Sequence, residues 1–346
     1  MIVGVRRWPG WLEPLWWAVR ALRAELWGFR FQYPVEAVVS PGGEDSLHYH
    51  VFSEQLFFDA MELDADGVPV QHGRTFGDAY NPAYVAWYGL MRLERAVRGE
   101  DPSGREAFLT QATWLAAHAV RRPDGGVVWH YPFDYVEGAG GLPAPWISAM
   151  SQGLAMSALI RAYRLTQDGR FRDLARDASV VFEQDITAGG VRTVNDGCVL
   201  YEEYPCIPPA RVLDGFVFSL FGLYDVFAET RDRGVYQLFQ DGVDGLMRWL
   251  PVWNYEDRWS WYGHRFYLSP PKYHALHRAQ FTALAHLSGE PMLDQYARAW
   301  DPDRLTLPER AEVFVVFVIT KNWGRLIHHL RVRRVLARAK AGTVAG

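Results

Sequence analysis

Cysteine is almost absent from this 346-residue chain: only Cys198 and Cys206 occur. Two thiols cannot staple a disulfide scaffold, so both are expected as unpaired core side chains. An excess of charge of one sign is missing too. Lysine plus arginine number 36 against 40 acidic residues, a formal net charge of -4, which leaves no basic footprint for nucleic acid. No apolar run reaches the length of a membrane span. A secretory leader is also not evident: Arg6 and Arg7 look like a charged start, but Glu13, Arg20, Arg23 and Glu25 break every apolar run that follows. The expectation is a cytoplasmic protein, with contact at the inner membrane face left open.

Several chemistries lack their motifs. There is no phosphate-cradling glycine loop and no serine-nucleophile elbow. His48, His50, His274 and His277 bring no Cys or Glu at familiar zinc spacing. Asp64-Ala65-Asp66-Gly67 has a faintly calcium-like look without the rest of a binding loop. No cofactor is required by anything in the sequence, and a structural or activity-modulating divalent cation stays open.

Apolar and aromatic residues are plentiful. Hydrophobic residues make up 49% of the chain and aromatic ones 15%, with 15 Trp and 17 Tyr. That suffices for one large core with appendages. A surplus of rings also suits a sugar-binding cleft, because ring faces stack on the C–H faces of pyranoses. Near the start, Trp11, Leu15, Val19, Leu22 and Leu26 recur at helical spacing before Gly28, predicting an amphipathic helix that packs on the protein or lies on a membrane surface.

A fourfold repeat organises the middle. Apolar helix-like segments begin near Tyr80, Trp146, Ala210 and Pro271, a period of roughly 60 to 65 residues. Each is followed by a short polar break and an amphipathic segment. The first helix of each pair should therefore be buried on most faces and the second should lie outside. That pattern predicts a mainly α protein, an (α/α) toroid of about four helix pairs. The loops 122–145, 186–209 and 254–271 contain short alternating stretches that suggest β-hairpins. All three occupy the same place in the repeat, so they should emerge at one end of the ring, the expected active face. The divisions read as residues 1–75, an amphipathic helix and a small β-containing segment; 76–308, the barrel; and 309–346, an extension. Within the extension AEVFVVFVIT is ambiguous between strand and helix. Arg325, Arg331, Arg333, Arg334, Arg338 and Lys340 follow it without an acidic residue.

Polar and aromatic residues concentrate in those loops. Tyr201-Glu202-Glu203-Tyr204 runs toward a very apolar helix, and Tyr262, His264 and Arg265 share the third loop. Tyr273, His277 and Gln280 fall at i, i+4 and i+7, one face of a helix. A polar stripe on a buried helix must be satisfied by hydrogen bonds or line a cavity; a cavity is the expectation.

At these places the sequence resembles the D-glucuronyl C5-epimerase family. The blocks that carry the likeness are WISAMSQGLAMSALIRAYRLT, YEEYPCIPPARVLDGFVFSLFGLYD, and YGHRF followed by KYHALHRAQ. The resemblance implies an (α/α) barrel that inverts C5 of D-glucuronic acid residues to L-iduronic acid within a heparosan- or heparan-type polysaccharide. It implies Glu203, Tyr204, Tyr262 and Tyr273 as the active-site groups and Arg265 as a partner of the substrate carboxylate. His277, Gln280, Gln152, Tyr201 and Trp129 complete the expected substrate-binding set. One departure stands out: the family usually has Leu-Asn-Gly where this chain has Leu213-Asp214-Gly215. The expected partner is a glucuronate-containing polysaccharide, with no nucleic acid; peripheral membrane contact and a homodimer are left open. Two other functions fit the same aromatic cleft, a uronic-acid polysaccharide lyase and a non-catalytic glycan-binding protein.

Epimerisation needs a base on one face of the sugar, an acid on the other, and stabilisation of charge on the carboxylate. Free Glu and Tyr, near ~4.3 and ~10, are mismatched to that work in opposite directions. Burial raises a Glu, and a cation such as Arg265 beside Tyr262 would lower a Tyr. Glu203 and Tyr273 are the expected opposed proton carriers, with Tyr262 next.

Overall fold

The computed structural model describes residues 20, 22–23, 27–37, 47–50, 61–73, 76–137, 140–263 and 267–324. Most of the expected N-terminal helix, residues 51–60 of the expected β-containing segment, Arg265 and the basic stretch from Arg325 onward lie outside these residues.

Four helical hairpins follow one another along the chain: α1 (Pro82–Val97) with α2 (Gly104–Ala117), α3 (Ala149–Thr166) with α4 (Gly169–Asp177), α5 (Leu213–Thr230) with α6 (Arg233–Trp253), and α7 (Pro271–Ser288) with α8 (Pro291–Ala299). Local chemistry sets where each begins. Asn81 caps α1 by accepting the N–H groups of Ala83 and Tyr84 at 3.0 and 3.3 Å, and Pro82 fills the first position, where no amide hydrogen is needed. Asp168 and Asp232 cap α4 and α6 in the same way. At the other end of α7, Gly289 takes the left-handed conformation that closes a helix.

Packing arranges the hairpins as an (α/α) toroid. The inner helices lie side by side in chain order, α1 on α3, α3 on α5 and α5 on α7, and each outer helix packs on its inner partner. The α3–α5 contact is tight, because a Cβ at Gly153 would collide with the backbone of Phe218 and Ser219, and one at Gly222 with the backbone of Gly153. At the end of the toroid away from the hairpin loops, Arg161 of α3 pairs with Asp225 of α5 at 2.5 Å and donates to the Leu47 carbonyl at 2.6 Å, while the Tyr49 hydroxyl donates to Asp225 at 2.9 Å. These bonds fasten residues 47–50 to the barrel.

Small antiparallel sheets precede the inner helices. The strands β1 (Glu62–Leu63), β2 (Pro69–Gly73) and β3 (Gly77–Ala79) form one sheet before α1. Two hairpins, β4 (Val120–Arg121) with β5 (Val127–Val128) and β6 (Tyr135–Glu137) with β7 (Gly140–Leu142), precede α3. A third, β8 (Arg192–Asn195) with β9 (Cys198–Tyr201), precedes α5, and β10 (Asn254–Tyr255) with β11 (Trp259–Ser260) precedes α7. Each sheet thus leads into the N-terminal end of an inner helix. The ambiguous segment after the barrel is helical: α9 covers 307–324, with Val313 and Phe317 buried against Trp259 and Leu268. Both cysteines are buried and free. Among the described residues no helix is long and apolar enough to cross a membrane.

Candidate active site

The N-terminal ends of all four inner helices meet at one pocket enclosing about 100 Å³. That is far above the ~10–15 Å³ a single water needs. The helices supply Asn81, Tyr84 and Trp87 from α1, Ser148 and Met150 at the start of α3, Asp214 from α5 and Tyr273 from α7. The loops add Tyr131, Tyr135, Trp146, Glu203, Tyr204 and Tyr262.

One wall is a stack of rings. Tyr131 lies on Trp146 at 4.0 Å and 6°, and Tyr135 lies on Tyr204 at 5.1 Å and 21°. The Trp146 indole donates to the Phe133 carbonyl at 2.8 Å, so the wall is held by a hydrogen bond as well as by stacking. Across from it Tyr262 stacks on Tyr267 and meets Tyr273 edge-on, with centroids at 5.0 and 5.3 Å.

Adjacent carboxylates in the Tyr201-Glu202-Glu203-Tyr204 run have opposite fates. Glu202 is wholly buried and turns away from the pocket, accepting from the Thr193 hydroxyl at 2.8 Å and the Arg211 N–H at 3.0 Å. Its carbonyl accepts the Ala149 N–H, which ties the loop to the start of α3. Glu203 enters the pocket with 6% exposure, and its Oε2 has no hydrogen-bond partner. The carboxyl lies against Gly215 in the first turn of α5, where any Cβ would collide with it. Burial, and then the charge of Asp214, push Glu203 well above the usual carboxylate range, with the Tyr204 side chain acting in the opposite direction.

The phenols move the same way. Burial raises Tyr262, with Asp214 and Glu203 adding to it, and burial raises Tyr273, with Tyr84, Asp214 and Glu203 adding to it. Tyr204 is likewise raised by burial and then Glu203. Among the described residues Tyr262 has only raising influences, first burial and then Asp214 and Glu203. Arg265 itself lies outside the described residues.

Five expected substrate contacts are placed elsewhere. The Gln152 side chain is spent on the Val127 and Ala178 carbonyls and the Trp129 N–H, and the Trp129 indole donates to the Leu115 carbonyl. Tyr201 donates to the Leu238 carbonyl at 2.7 Å, behind the hairpin. His277 and Gln280 are wholly buried beneath the pocket: the polar stripe begins at Tyr273 in the lining, then runs under the floor. Gln152, Trp129 and Tyr201 hold the scaffold through main-chain partners, while His277 meets Ser260 through Nδ1 and Gln280 donates to the Asp214 carbonyl. Conversely, Asn81, Tyr84, Tyr131, Tyr135 and Trp146 line the pocket without having been singled out as site residues. The Asn-Pro cap and the Trp-Ile-Ser start of two inner helices were the available signals. Asp64, the calcium-like residue, is consumed by its own turn: it accepts from the N–H groups of Asp66 and Val68 and from the Tyr80 hydroxyl.

Glu202 gives a stability prediction. Burial raises its carboxyl to about 7, so the folded chain holds more protons than the unfolded one between the ordinary carboxylate range and pH 7. Stability therefore falls as pH rises through that window and levels off above it. Glu202→Gln removes this group's share, on the order of 3 kcal/mol for such a shift. Denaturant midpoints at pH 5 and pH 8 should show the variant gaining on the native chain at the higher pH. An unchanged difference between the two would refute the assignment.

Residues 124–302 match the family model described as D-glucuronyl C5-epimerase C-terminus. The chain is 31% identical over 236 residues to a D-glucuronyl C5-epimerase of Caenorhabditis elegans, a match covering 62% of this chain and 38% of that protein. It is 24% identical over 222 residues to an uncharacterized protein of Methanocaldococcus jannaschii, covering 59% of this chain and 70% of the other. A solved structure of an unsaturated glucuronyl hydrolase from Bacillus sp. GL1 is similar at 13% identity with a TM-score of 0.45, over 70% of this chain and 74% of that one. With more than half its length matched by the family model, the chain belongs to the D-glucuronyl C5-epimerase family.

Proposed function

We propose that this protein inverts C5 of D-glucuronic acid residues within a polysaccharide, converting them to L-iduronic acid by proton abstraction and reprotonation. The observation that carries the reading is a buried carboxyl, Glu203, facing a set of phenols in one desolvated pocket. Both kinds of group can hold or release a proton, and epimerisation uses two carriers.

Glu203 takes the C5 hydrogen as a proton, and the electron pair of the broken C–H bond moves into the adjacent carboxyl group. Tyr273 gives its hydroxyl proton to C5 from the other face. The reverse reaction exchanges the two roles, and proton exchange with solvent resets the pair. A raised Glu is a stronger base when ionised, and a raised Tyr stays protonated and ready to donate. Four helix N-termini around the pocket favour the anionic substrate and the charge that develops on its carboxyl group. The tyrosine hydroxyls add hydrogen-bond donors, and the stacked wall of Tyr131 and Trp146 offers a ring face to the sugar.

The test is hydrogen exchange in deuterated solvent, using a panel of glucuronate polymers. Deuterium at C5, with iduronate appearing and the chain uncut, is the expected result. An unsaturated product absorbing in the ultraviolet would replace the proposal with a lyase. Binding without either signal would leave a glycan-binding protein.

A further inference from the structure

Beside Glu203 the pocket holds a second carboxylate that the mechanism above does not use. Asp214 is 2% exposed and lines the pocket, and its Oδ1 has no hydrogen-bond partner. His277 stands behind it with Nε2 3.8 Å from that oxygen, and Nε2 too has no hydrogen-bond partner. The other ring nitrogen of His277 meets the Ser260 hydroxyl at 2.8 Å, and Gln280 donates to the Asp214 main-chain carbonyl at 3.0 Å. Asp214 and Gly215 are consecutive in the first turn of α5, and the Glu203 carboxyl is packed against Gly215. Unpaired oxygens of two carboxyl groups thus converge on one turn of one helix, in a place water scarcely reaches.

We propose that Asp214 is a positioning residue for Glu203: the two carboxyl groups form a pair at the pocket floor, with the His277 imidazole backing Asp214, and the Asp214 side chain sets how readily Glu203 gives up its proton. The Asp214 carboxylate adds to burial in disfavouring the charged form of Glu203. Other groups face Glu203 as well. Tyr84, Tyr131, Tyr135, Tyr204, Tyr262 and Tyr273 are phenols raised by burial, and Glu137 adds a lesser negative influence. The Lys272 ammonium acts on Asp214.

The proposal rests on the reading of Glu203 as a proton carrier, and two measurements separate the claims. In the exchange assay, Asp214→Asn should move the acid limb of the pH–rate profile down by about one pH unit or more. Its plateau should fall roughly tenfold or less, because a less basic carboxylate abstracts more slowly. Asp214→Ser, which also removes the charge, should move the limb in the same direction. A limb that stays in place in both variants overturns the pair. Carbon-13 NMR of glutamate-labelled protein, with the Glu203 signal assigned by its loss in Glu203→Gln, needs no substrate. The Glu203 titration should fall by a similar amount in Asp214→Asn, and an unmoved titration overturns the pair. If that titration moves while the native chain exchanges no glucuronan hydrogen, the proposed reaction fails and the pair stands.

Discussion

Replacing Glu203 by glutamine is expected to abolish hydrogen exchange at C5, a loss at the upper end of the roughly 100- to 10,000-fold range for a removed acid or base. Glutamine has nearly the same shape, so it can occupy the space against Gly215 that a larger group could not. It cannot take a proton from carbon. Folding should survive, because the native carboxyl gains little from its surroundings: its Oε2 is buried without a partner, and burial disfavours its charged form. A neutral amide escapes that cost, so above pH 7 the variant should be at least as stable as the native chain. Glu202→Gln is the control. Its side chain faces Thr193 and Arg211 and not the pocket, and the variant should keep most of its turnover. Turnover and denaturant midpoints measured on both variants decide the matter. Substantial exchange by a folded Glu203→Gln chain, or its loss in Glu202→Gln alone, would move the base to the neighbouring residue.

Tyr273→Phe is expected to cut turnover by roughly 100-fold with little change in the Michaelis constant, as for an interaction made chiefly in the transition state. The ring fits edge-on against Tyr262 at 5.3 Å, and phenylalanine preserves that packing. The hydroxyl is lost, and with it the transferable proton. Burial and the neighbouring Tyr84, Asp214 and Glu203 hold this hydroxyl in its protonated form, so the native rate should not decline through mild alkali from loss of the acid. The acid limb of the profile belongs to Glu203 instead, with activity rising as that carboxyl ionises. Tyr262→Phe is the comparison, since it removes a hydroxyl from the same wall. If Tyr273→Phe raises only the Michaelis constant while Tyr262→Phe lowers turnover, the roles of the two tyrosines are exchanged.

Much of the architecture was legible in the chain. Helical periodicity of 3.6 residues separates a helix buried on most faces from one buried on a single stripe, and that alternation, repeated four times, appears as α1 to α8. Loop position was legible for the same reason. Each hairpin-rich loop precedes an inner helix, so all must emerge where those helices begin, and there the pocket lies. The segment 311–320 was not legible, because a short apolar run suits a strand or a helix equally. It became a helix that buries Val313 and Phe317 and exposes Val315 and Ile319.

Side-chain direction in the site was a different matter. The sequence by itself determined four helix pairs, the end at which their loops collect, and the neighbourhood of Glu203, Tyr204, Tyr262 and Tyr273, because periodicity and order along the chain are local properties. Only the tertiary structure decided that Glu203 faces the pocket while Glu202 faces Thr193. It likewise decided that Gln152, Trp129 and Tyr201 are spent on main-chain partners, and that Asp214 joins Glu203 with His277 beneath. Those outcomes depend on which distant donor or acceptor lies within about 3 Å of a buried polar atom, and a buried polar atom takes whichever partner is there. That distance is set by how α3, α5 and α7 pack, which no single segment contains.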